Sequence, residues 1–272
     1  MPGEAYLQRM LAGFDWSSRS RVVEAERGLE GAVLVAGRST PLGTVTQVSV
    51  ACGRLDLRNA LLRWGIDLSK AAGAVAAQMW CGRGHGEALA HLGAEFVRPW
   101  WRMDMNLAGE LPAPLHVPGY ELRDGSQVAG CSWSNLHNRS FADHWRFSPR
   151  KEAELAAGRS PHLSLMAIGG EGSPAALALG QVESYLEDPR PQPVGIVSSV
   201  GTVPEHRRKG LATWLVAELL CRLREEGAGS ASLYVDAWNH TRAFDAYRKL
   251  GFELAFESEV WEATLRAANP PH

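Results

Sequence analysis

The sequence predicts an α/β protein in which strands and helices alternate, and three observations lead to this fold class. Residues 194–203 form a run of β-branched and small side chains, which is typical of a buried strand. Beyond the turn that follows, leucines recur on one helical stripe at positions 211, 215, 219 and 223. A second strand and helix follow at 232–235 and 243–250, and the first half of the chain repeats this order of elements.

The remaining elements follow from apolar patterning and from the glycines and prolines that end each run. Strands are predicted at 20–25, 31–36, 44–50, 75–80, 120–122, 163–168 and 175–185. Helices are predicted at 4–14, 55–64, 86–92, 127–141 and 149–157. Within 55–64, for example, Leu57, Leu61 and Leu62 share one face. The Trp-rich residues 96–105 and the residues 252–265 are each predicted to form a hairpin.

Positive charge is concentrated in the turn between the long strand and its helix. Pro204 ends the strand because proline cannot donate to a ladder, and Arg207, Arg208 and Lys209 then precede Gly210. A helix N-terminus offers unpaired N–H groups, and glycine lets an anion approach the backbone closely. The turn therefore predicts a phosphate or pyrophosphate site. Neither GxxxxGK[ST] nor GxGxxG is present, which argues against nucleoside triphosphate hydrolysis.

Two segments resemble the two signatures of the GNAT acetyltransferase superfamily. Residues 207–212 read Arg-Arg-Lys-Gly-Leu-Ala and resemble its pyrophosphate motif, R/Q-x-x-G-x-G/A. Residues 239–252 resemble the second signature, N-x-x-x-A-x-x-x-Y-x-x-L-G-F. The resemblance extends over 119–272 and implies the GNAT fold, a mixed and mostly antiparallel sheet flanked by helices.

The resemblance also implies acetyl-CoA, or another acyl-CoA, as the co-substrate. The residues that it assigns to coenzyme A are Val200, Thr202, Val203, Arg207, Arg208, Lys209, Gly210, Leu211, Ala212, Thr213, Asn239, Ala243, Phe244 and Tyr247. Tyr247 also matches the family's acid, which stabilises or protonates the departing thiolate. The alternative for Tyr247 is a core residue on an apolar helix face. No metal is expected, because the four cysteines form no CxxC and the nine histidines form no HExxH.

The general base has several candidates. An alkylamine has a pKa of about 10 and is mostly protonated at pH 7, so a base is needed before it can attack. Some relatives carry a glutamate on the central strand, but 194–203 contain no acid. Glu183 on the neighbouring strand and His144 near the acceptor wall are the candidate bases. Asp143, His144 and His137 are expected to lie close to the acceptor.

The chain is longer than one GNAT domain, and its first part is predicted to be a degenerate second copy. Leu-Gly-Ala-Glu-Phe at 92–96 is similar to Leu-Gly-Phe-Glu-Leu at 250–254. The equivalent turn at 51–56 lacks the pyrophosphate motif. We therefore predict a GNAT-like domain at 1–108, a proline-rich linker at 109–118 and an acetyltransferase domain at 119–272. This tandem arrangement resembles that of mycothiol synthase-like proteins, and an unrelated α/β cap is the alternative.

Composition excludes several functional classes. The net charge of −2 gives no reason to expect a nucleic-acid partner. No apolar run approaches the ~18 residues that a membrane span requires, and the N-terminus lacks the apolar region of a signal peptide. The scattered cysteines are typical of a protein from the reducing cytoplasm.

These observations predict a cytoplasmic N-acetyltransferase that transfers an acetyl group from acetyl-CoA to the amine of a small molecule. The amine attacks directly in a ternary complex, and the expected assemblies include a homodimer. One alternative is a non-catalytic GNAT-fold sensor of acyl-CoA, which the missing strand glutamate favours. A protein N-acetyltransferase is the other alternative, although no acidic groove for a basic peptide is visible in the sequence.

Overall fold

The chain folds into two units, each with its own hydrophobic core. The computed structural model describes residues 14–26, 28–126, 128, 133–156, 160–183, 192–239 and 243–266. The first unit comprises the described residues of 14–100 and 257–266, and the second unit is Trp101–Phe256. Of the predicted helix 4–14, only residue 14 is among the described residues. Residues 127 and 129–132 of the predicted helix 127–141 also lie outside them.

The elements succeed one another as alternating strands and helices. In the first half they are α1 (Trp16–Arg19), β1 (Ser20–Ala25), β2 (Gly28–Thr40), β3 (Gly43–Cys52), α2 (Leu55–Ala71), β4 (Ala76–Gly82), α3 (Glu87–Ala90) and β5 (Glu95–Asn106). In the second half they are β6 (Glu121–Asp124), α4 (Trp133–Phe141), α5 (Glu152–Ala156), β7 (Ser164–Ile168), β8 (Pro174–Glu183), β9 (Val194–Thr202), α6 (Leu211–Glu225), β10 (Ser230–Asp236), α7 (Ala243–Lys249) and β11 (Glu253–Thr264). Short 3-10 turns occur at Gly170–Gly172 and Pro204–His206.

In the first unit the strand order is β1, β2, β3, β4 and β11. All neighbours are antiparallel except β3 and β4, which are parallel and connected through α2. Helix α2 packs on this sheet through the apolar face that the sequence predicts, with Leu61 and Leu62 buried against Val33, Val48 and Met79. Burial of this face, rather than helix propensity alone, is what holds α2 in place.

In the second unit the strand order is β5, β10, β9, β8, β7 and β6. Strands β9 and β10 are parallel, with α6 as their connection, whereas β6 to β9 are antiparallel neighbours. The predicted leucine stripe of α6 is confirmed, because positions 211, 215, 219 and 223 are all at most 2% exposed. The prediction of a mixed, mostly antiparallel sheet flanked by helices is likewise confirmed.

Both units contain the same motif, a parallel pair of strands connected by a helix. In the first unit the motif is β3, α2 and β4, and in the second it is β9, α6 and β10. This repetition is what the sequence similarity between 92–96 and 250–254 predicts. Among the helices that lie in the described ranges, none has both the length and the hydropathy needed to cross a bilayer.

The two predicted hairpins are wrong, because each segment forms one long strand. Residues 96–105 lie within β5, and 252–265 correspond to β11, whose sequence contains no glycine or proline at which a turn could form. The second half of β11 pairs with β4, from Ser258 opposite Gly82 to Thr264 opposite Ala76. For this reason the structure groups 257–266 with the first unit, unlike the predicted division into 1–108, 109–118 and 119–272.

Candidate functional site

The parallel strands β9 and β10 are paired over only part of their length, which leaves a cleft between them. Their register ends at Val197 and Leu233, whereas β9 continues to Thr202 and β10 to Asp236. A bulge at Ser198 shifts the pairing of β9 with β8, and the Ser198 hydroxyl donates to a β8 carbonyl at 3.0 Å. Since a bulge bends its strand, β9 turns away from β10 at this point. Backbone groups of 198–202 on the cleft side are therefore not paired by β10.

The turn after β9 has the backbone shape of an anion site. Arg208 has φ of 64° and Gly210 has φ of 87°, both in the left-handed region. Such alternation directs successive N–H groups toward one concave side. Helix α6 then begins at Leu211 with no side-chain cap and no acid in its first turn, so its first N–H groups are available to an anion. A Cβ at Gly210 would meet only Val117, at 3.8 Å, so the backbone angle rather than space requires glycine.

The side chain of Arg207 is bound within the protein instead of facing this turn. Its guanidinium forms a two-pronged ion pair with Asp143, at 2.6 and 3.0 Å, and donates to the carbonyls of Ser140 and Thr202 at 3.1 Å each. The hydrogen bond from Arg207 lowers the pKa of Asp143 to about 2, against an opposing effect of burial. Of the predicted cofactor ligands, Arg207 can therefore offer coenzyme A only its backbone.

Two cations remain exposed at the turn. The side chain of Arg208 makes no hydrogen bond or ion pair with any described residue. Lys209 donates to the hydroxyl of Tyr120 at 3.1 Å, and that hydroxyl also shares a hydrogen bond of 2.7 Å with Nδ1 of His206. The Tyr120–His206 pair is a feature of the site that the sequence did not predict. It connects His206 of the 3-10 turn to Tyr120, 86 residues earlier in the chain.

The other residues predicted to hold coenzyme A lie along the cleft and the turn. Val200 and Thr202 are half-buried in the part of β9 beyond the bulge, Val203 and Leu211 are buried, Ala212 is half-buried and Thr213 is exposed. The side chains of the two buried residues belong to the core, so these positions can contribute only backbone groups.

The two faces of the sheet can be assigned from its glycines. A side chain at Gly180 of β8 or Gly195 of β9 would collide with leucines of α6, at 2.9 Å in both cases. A side chain at Gly201 would collide with Phe141 of α4, at 2.7 Å. Because side chains alternate along a strand, Glu183 of β8 lies on the α4 face.

Glu183, one candidate base, is buried beside the start of β9, at the end of that strand away from the phosphate turn. It is 5% exposed and pairs with Val194 at the start of β9. Ile196 shares the α4 face with it and stands two residues before the bulge. Ser198, where the cleft begins, is four residue steps beyond Val194, which corresponds to about 13 Å along a strand.

His144, His137 and Asp143 cluster at the end of α4, near the phosphate turn. The ring of His137 is buried and stacks on Phe141 with centroids 4.5 Å apart, and the ring of His144 meets Phe141 edge-on at 4.8 Å. Burial lowers the pKa of His137, so it is neutral at pH 7. Because Phe141 lies against Gly201 while Glu183 pairs with Val194, the structure does not bring the two candidate bases together.

Tyr247 lies on α7 with its ring half-buried against the core. The ring meets Phe252 edge-on with centroids 6.0 Å apart, and burial raises the pKa of Tyr247 to about 12. The phenol is therefore protonated at pH 7, and its hydroxyl makes no hydrogen bond to a described residue. Nearby on the same helix, Phe244 packs edge-on against Trp101 at 4.7 Å.

The loop before α7 and the first residue of that helix contain the last two predicted cofactor ligands. Asn239 is half-buried after β10 and its N–H donates to the carbonyl of Asp236 at 3.1 Å. Ala243 is half-buried and packs against the core of the second unit. Among the residues that the structure describes, no cluster of three or more His, Cys, Asp or Glu could hold a metal ion.

Comparison with known proteins identifies this arrangement. Residues 131–252 match the model of the Acetyltransferase (GNAT) family. The chain contains a GNAT acetyltransferase domain. It is 33% identical over 182 residues to a mycothiol acetyltransferase from Thermobispora bispora, across 62% of this chain and 60% of that one. The chain spans between 54% and 66% of the length of the curated relatives that it matches.

Solved structures extend the likeness beyond the GNAT domain. A GCN5-related N-acetyltransferase from Sphaerobacter thermophilus has a TM-score of 0.78 at 21% identity, over 98% of this chain and 87% of that one. A tandem GNAT protein from the clavulanic acid biosynthesis pathway has a TM-score of 0.65 at 19% identity, over 92% and 83% of the two chains. The predicted GNAT fold and tandem arrangement are thus confirmed.

The ion pair between Asp143 and Arg207 should make the GNAT domain sensitive to acid. In the folded state the pKa of the Asp143 carboxyl is lowered from 3.8 to about 2. The stabilisation that this carboxylate provides is therefore complete above about pH 4 and is lost as the pH falls toward 2. The carboxylate is 40% exposed, and after allowance for solvent screening we expect about 1 kcal/mol. Asp143→Asn should therefore lower the free energy of unfolding at pH 7 by that amount, as measured by urea denaturation.

The difference in the free energy of unfolding between Asp143→Asn and the wild type should shrink as the pH is lowered from 4 to 2.5, because Asp143 becomes protonated as the pH approaches its folded-state pKa of about 2. Glu121→Gln is the matched control, because it removes an ion pair with Arg123 whose side chains are 63% and 41% exposed. That control should change stability by less than about 0.5 kcal/mol. A constant difference between Asp143→Asn and the wild type from pH 7 to pH 2.5 would contradict the assignment.

Proposed function

We propose that the protein is an acetyl-CoA-dependent N-acetyltransferase that acetylates the amine of a small molecule by direct attack in a ternary complex. The observation that carries the proposal is the phosphate turn, with Arg208 and Gly210 in the left-handed region and the uncapped start of α6 directly after them. A pyrophosphate suits this turn because it offers several N–H groups and two exposed cations.

The turn and the cleft contain groups suited to both the pyrophosphate and the pantetheine parts of acetyl-CoA. The N–H groups after Gly210 would hold the pyrophosphate, and Arg208 and Lys209 would supply charge. The unpaired backbone groups of 198–202 would receive the pantetheine amides, since a strand edge offers both donors and acceptors. Acetyl-CoA, when bound, supplies an acetyl group activated as a thioester.

Tyr247 acts as the proton donor to the departing thiolate. Its phenol is protonated at pH 7, because burial raises its pKa to about 12. Its hydroxyl also has no hydrogen-bonding partner among the described residues. A neutral phenol that is free to donate can stabilise negative charge as it develops on a sulfur atom.

A base on the α4 face removes the proton from the attacking amine, directly or through water. Glu183 and His144 remain the two candidates, and they lie toward opposite ends of β9. The side chains that β9 places on that face include no acid. This absence of an acid on β9 also favours a second candidate function, a sensor that binds acetyl-CoA without turnover.

A small-molecule amine is the proposed acceptor class. The named relatives are mycothiol acetyltransferases, and their name supports acetyl transfer to a small molecule in preference to a protein. A protein N-acetyltransferase remains the less supported alternative. A homodimer stays a prediction.

An acceptor screen with acetyl-CoA, read out as free thiol, tests the proposal. We expect a primary amine on a small polar molecule to release thiol at rates well above hydrolysis. Glu183→Gln and His144→Gln should then be compared over pH 6–9, because the loss of the base should lower kcat by about 100-fold and remove its limb of the pH profile. The other substitution should keep that limb. Tight acetyl-CoA binding without any acceptor-dependent thiol release would favour the sensor instead.

A further inference from the structure

The first unit contains a cavity of about 510 Å³ that the proposed function does not use. Its volume falls in the range of roughly 300–1,000 Å³ that is common for small-molecule sites. The cavity is bounded by β3, β4, α2 and α3. Every residue that lines it belongs to the first unit, so the cavity is separate from the phosphate turn.

The cavity lies at the open end of a parallel strand pair. The register of β3 and β4 ends at Gln47 and Gln78, whereas β3 continues to Cys52 and β4 to Gly82. Apart from Gln47, the strand residues that line the cavity come from the parts of β3 and β4 beyond this register. The cavity thus occupies the same place in its strand–helix–strand motif as the cleft between β9 and β10 does in the second unit.

The first unit lacks the features that would attract a pyrophosphate to this cavity. The turn between β3 and α2 has no residue with a left-handed φ. Arg54 in that turn forms ion pairs with Asp56 at 2.7 Å and Glu30 at 3.2 Å. Asp56 also stands in the first turn of α2, where its charge opposes the binding of a second anion.

The lining of the cavity is mixed: an apolar wall lies beside one arginine and the polar side chains of Gln47, Ser49 and His85. Four aliphatic side chains and one indole line it: Val48, Val50, Leu62, Leu89 and Trp80. Arg58 also lines it, one helical turn before Leu62, and is only half-buried. Its guanidinium makes no hydrogen bond or ion pair with any described residue. A guanidinium fork beside apolar walls is suited to a carboxylate attached to an apolar body.

Covalent chemistry is not expected in this cavity. Burial raises the pKa of Cys81 to about 11, and the carboxylate of Glu259, 3.8 Å from its sulfur, acts in the same direction. The thiol is therefore neutral at pH 7 and a poor nucleophile. Glu259 itself accepts hydrogen bonds from the N–H of Gly84 at 3.1 Å and from the indole of Trp261 at 2.9 Å.

We propose that this cavity is a second ligand site, which binds a small monocarboxylate with an apolar body. The carboxylate pairs with Arg58, and the apolar body lies against Val48, Val50, Leu62 and Leu89. At about 30 Å³ for each water-sized volume, the cavity of about 510 Å³ holds roughly 17 such volumes, which is enough for a ligand of about 12 non-hydrogen atoms.

Decanoate, titrated into the full-length protein by calorimetry, is the probe. We expect a dissociation constant of about 10–100 μM, and Arg58→Gln should weaken binding at least tenfold. Decanol, which has a similar apolar body and no charge, should bind at least tenfold more weakly than decanoate and should not respond to Arg58→Gln. Arg63→Gln is the matched control, because Arg63 is an exposed arginine of α2 that does not line the cavity, and it should bind decanoate as the wild type does.

Three results would overturn the proposal: no binding of decanoate, equal binding by Arg58→Gln, or equal binding of decanol. A fourth is displacement of decanoate by acetyl-CoA, because the cavity would then be a second coenzyme A site. If Arg58→Gln does not fold, Arg58→Lys serves in its place. It keeps the charge but loses the planar fork, so binding that is weakened severalfold supports the proposal and unchanged binding contradicts it.

Discussion

Gly210→Asp is expected to weaken acetyl-CoA binding by at least about 100-fold, which corresponds to roughly 2.7 kcal/mol. The residue lies at φ of 87° where the N–H groups of the turn converge. Aspartate tolerates this backbone region better than most residues, so the fold should persist. Its carboxylate would, however, occupy the place proposed for the pyrophosphate and repel it. Calorimetry with the wild type should give one acetyl-CoA site per chain.

Gly227→Asp is the matched control for this experiment. Gly227 has φ of 88°, follows the other end of α6 and has no heavy atom near its Cβ direction. The control therefore introduces the same side chain at a similar backbone angle, away from the proposed site, and should leave the dissociation constant unchanged. If a folded Gly210→Asp variant binds acetyl-CoA with unaltered affinity, the turn at Gly210 does not bind the pyrophosphate.

Tyr247→Phe is expected to lower kcat by roughly 10- to 1000-fold while the affinity for acetyl-CoA stays similar. The substitution keeps the ring that packs against Phe252 and removes only the hydroxyl. Since that hydroxyl has no hydrogen-bonding partner among the described residues, its loss should cost little stability. Steady-state kinetics and a thermal melt of the same preparation measure the two effects separately.

The opposite results would show that Tyr247 is a core residue and not the proton donor. If kcat stays near that of the wild type while a solvent isotope effect shows that chemistry limits the rate, the phenol is not the proton donor. A large fall in the melting temperature together with a proportional fall in kcat would indicate a packing role instead.

Features set by neighbouring residues could be predicted from the sequence. The glycine of the phosphate turn and the leucine stripe of α6 depend on backbone angles and helical spacing within about 20 residues, and both are present in the structure. The hairpins could not be predicted reliably, because an uninterrupted strand and a hairpin with an irregular turn share the same alternating pattern. Pro99 is the one proline or glycine in the two segments, and β5 runs through it without a turn, whereas β11 contains neither glycine nor proline.

Contacts between distant parts of the chain could not be predicted from local sequence patterns. Arg207 and Asp143 are 64 residues apart, and Tyr120 and His206 are 86 apart. The basic run at 207–209 looked like three phosphate ligands, yet the fold directs the first of them to Asp143. The distance between the two candidate bases has the same origin, since strand register, and not sequence spacing, separates Glu183 from His144.

The course of β11 has a consequence for how this protein is made on the ribosome. Residues 14–100 emerge first, but the strand that pairs with β4 emerges only after residue 256. Until then the backbone of β4 lacks its antiparallel neighbour, and the buried amide of Gln78 lacks the Glu262 carboxylate that it reaches at 3.0 Å. An open strand edge of this kind invites pairing with other chains. The nascent first unit is therefore expected to expose the edge of β4 until residues 257–264 have been synthesised.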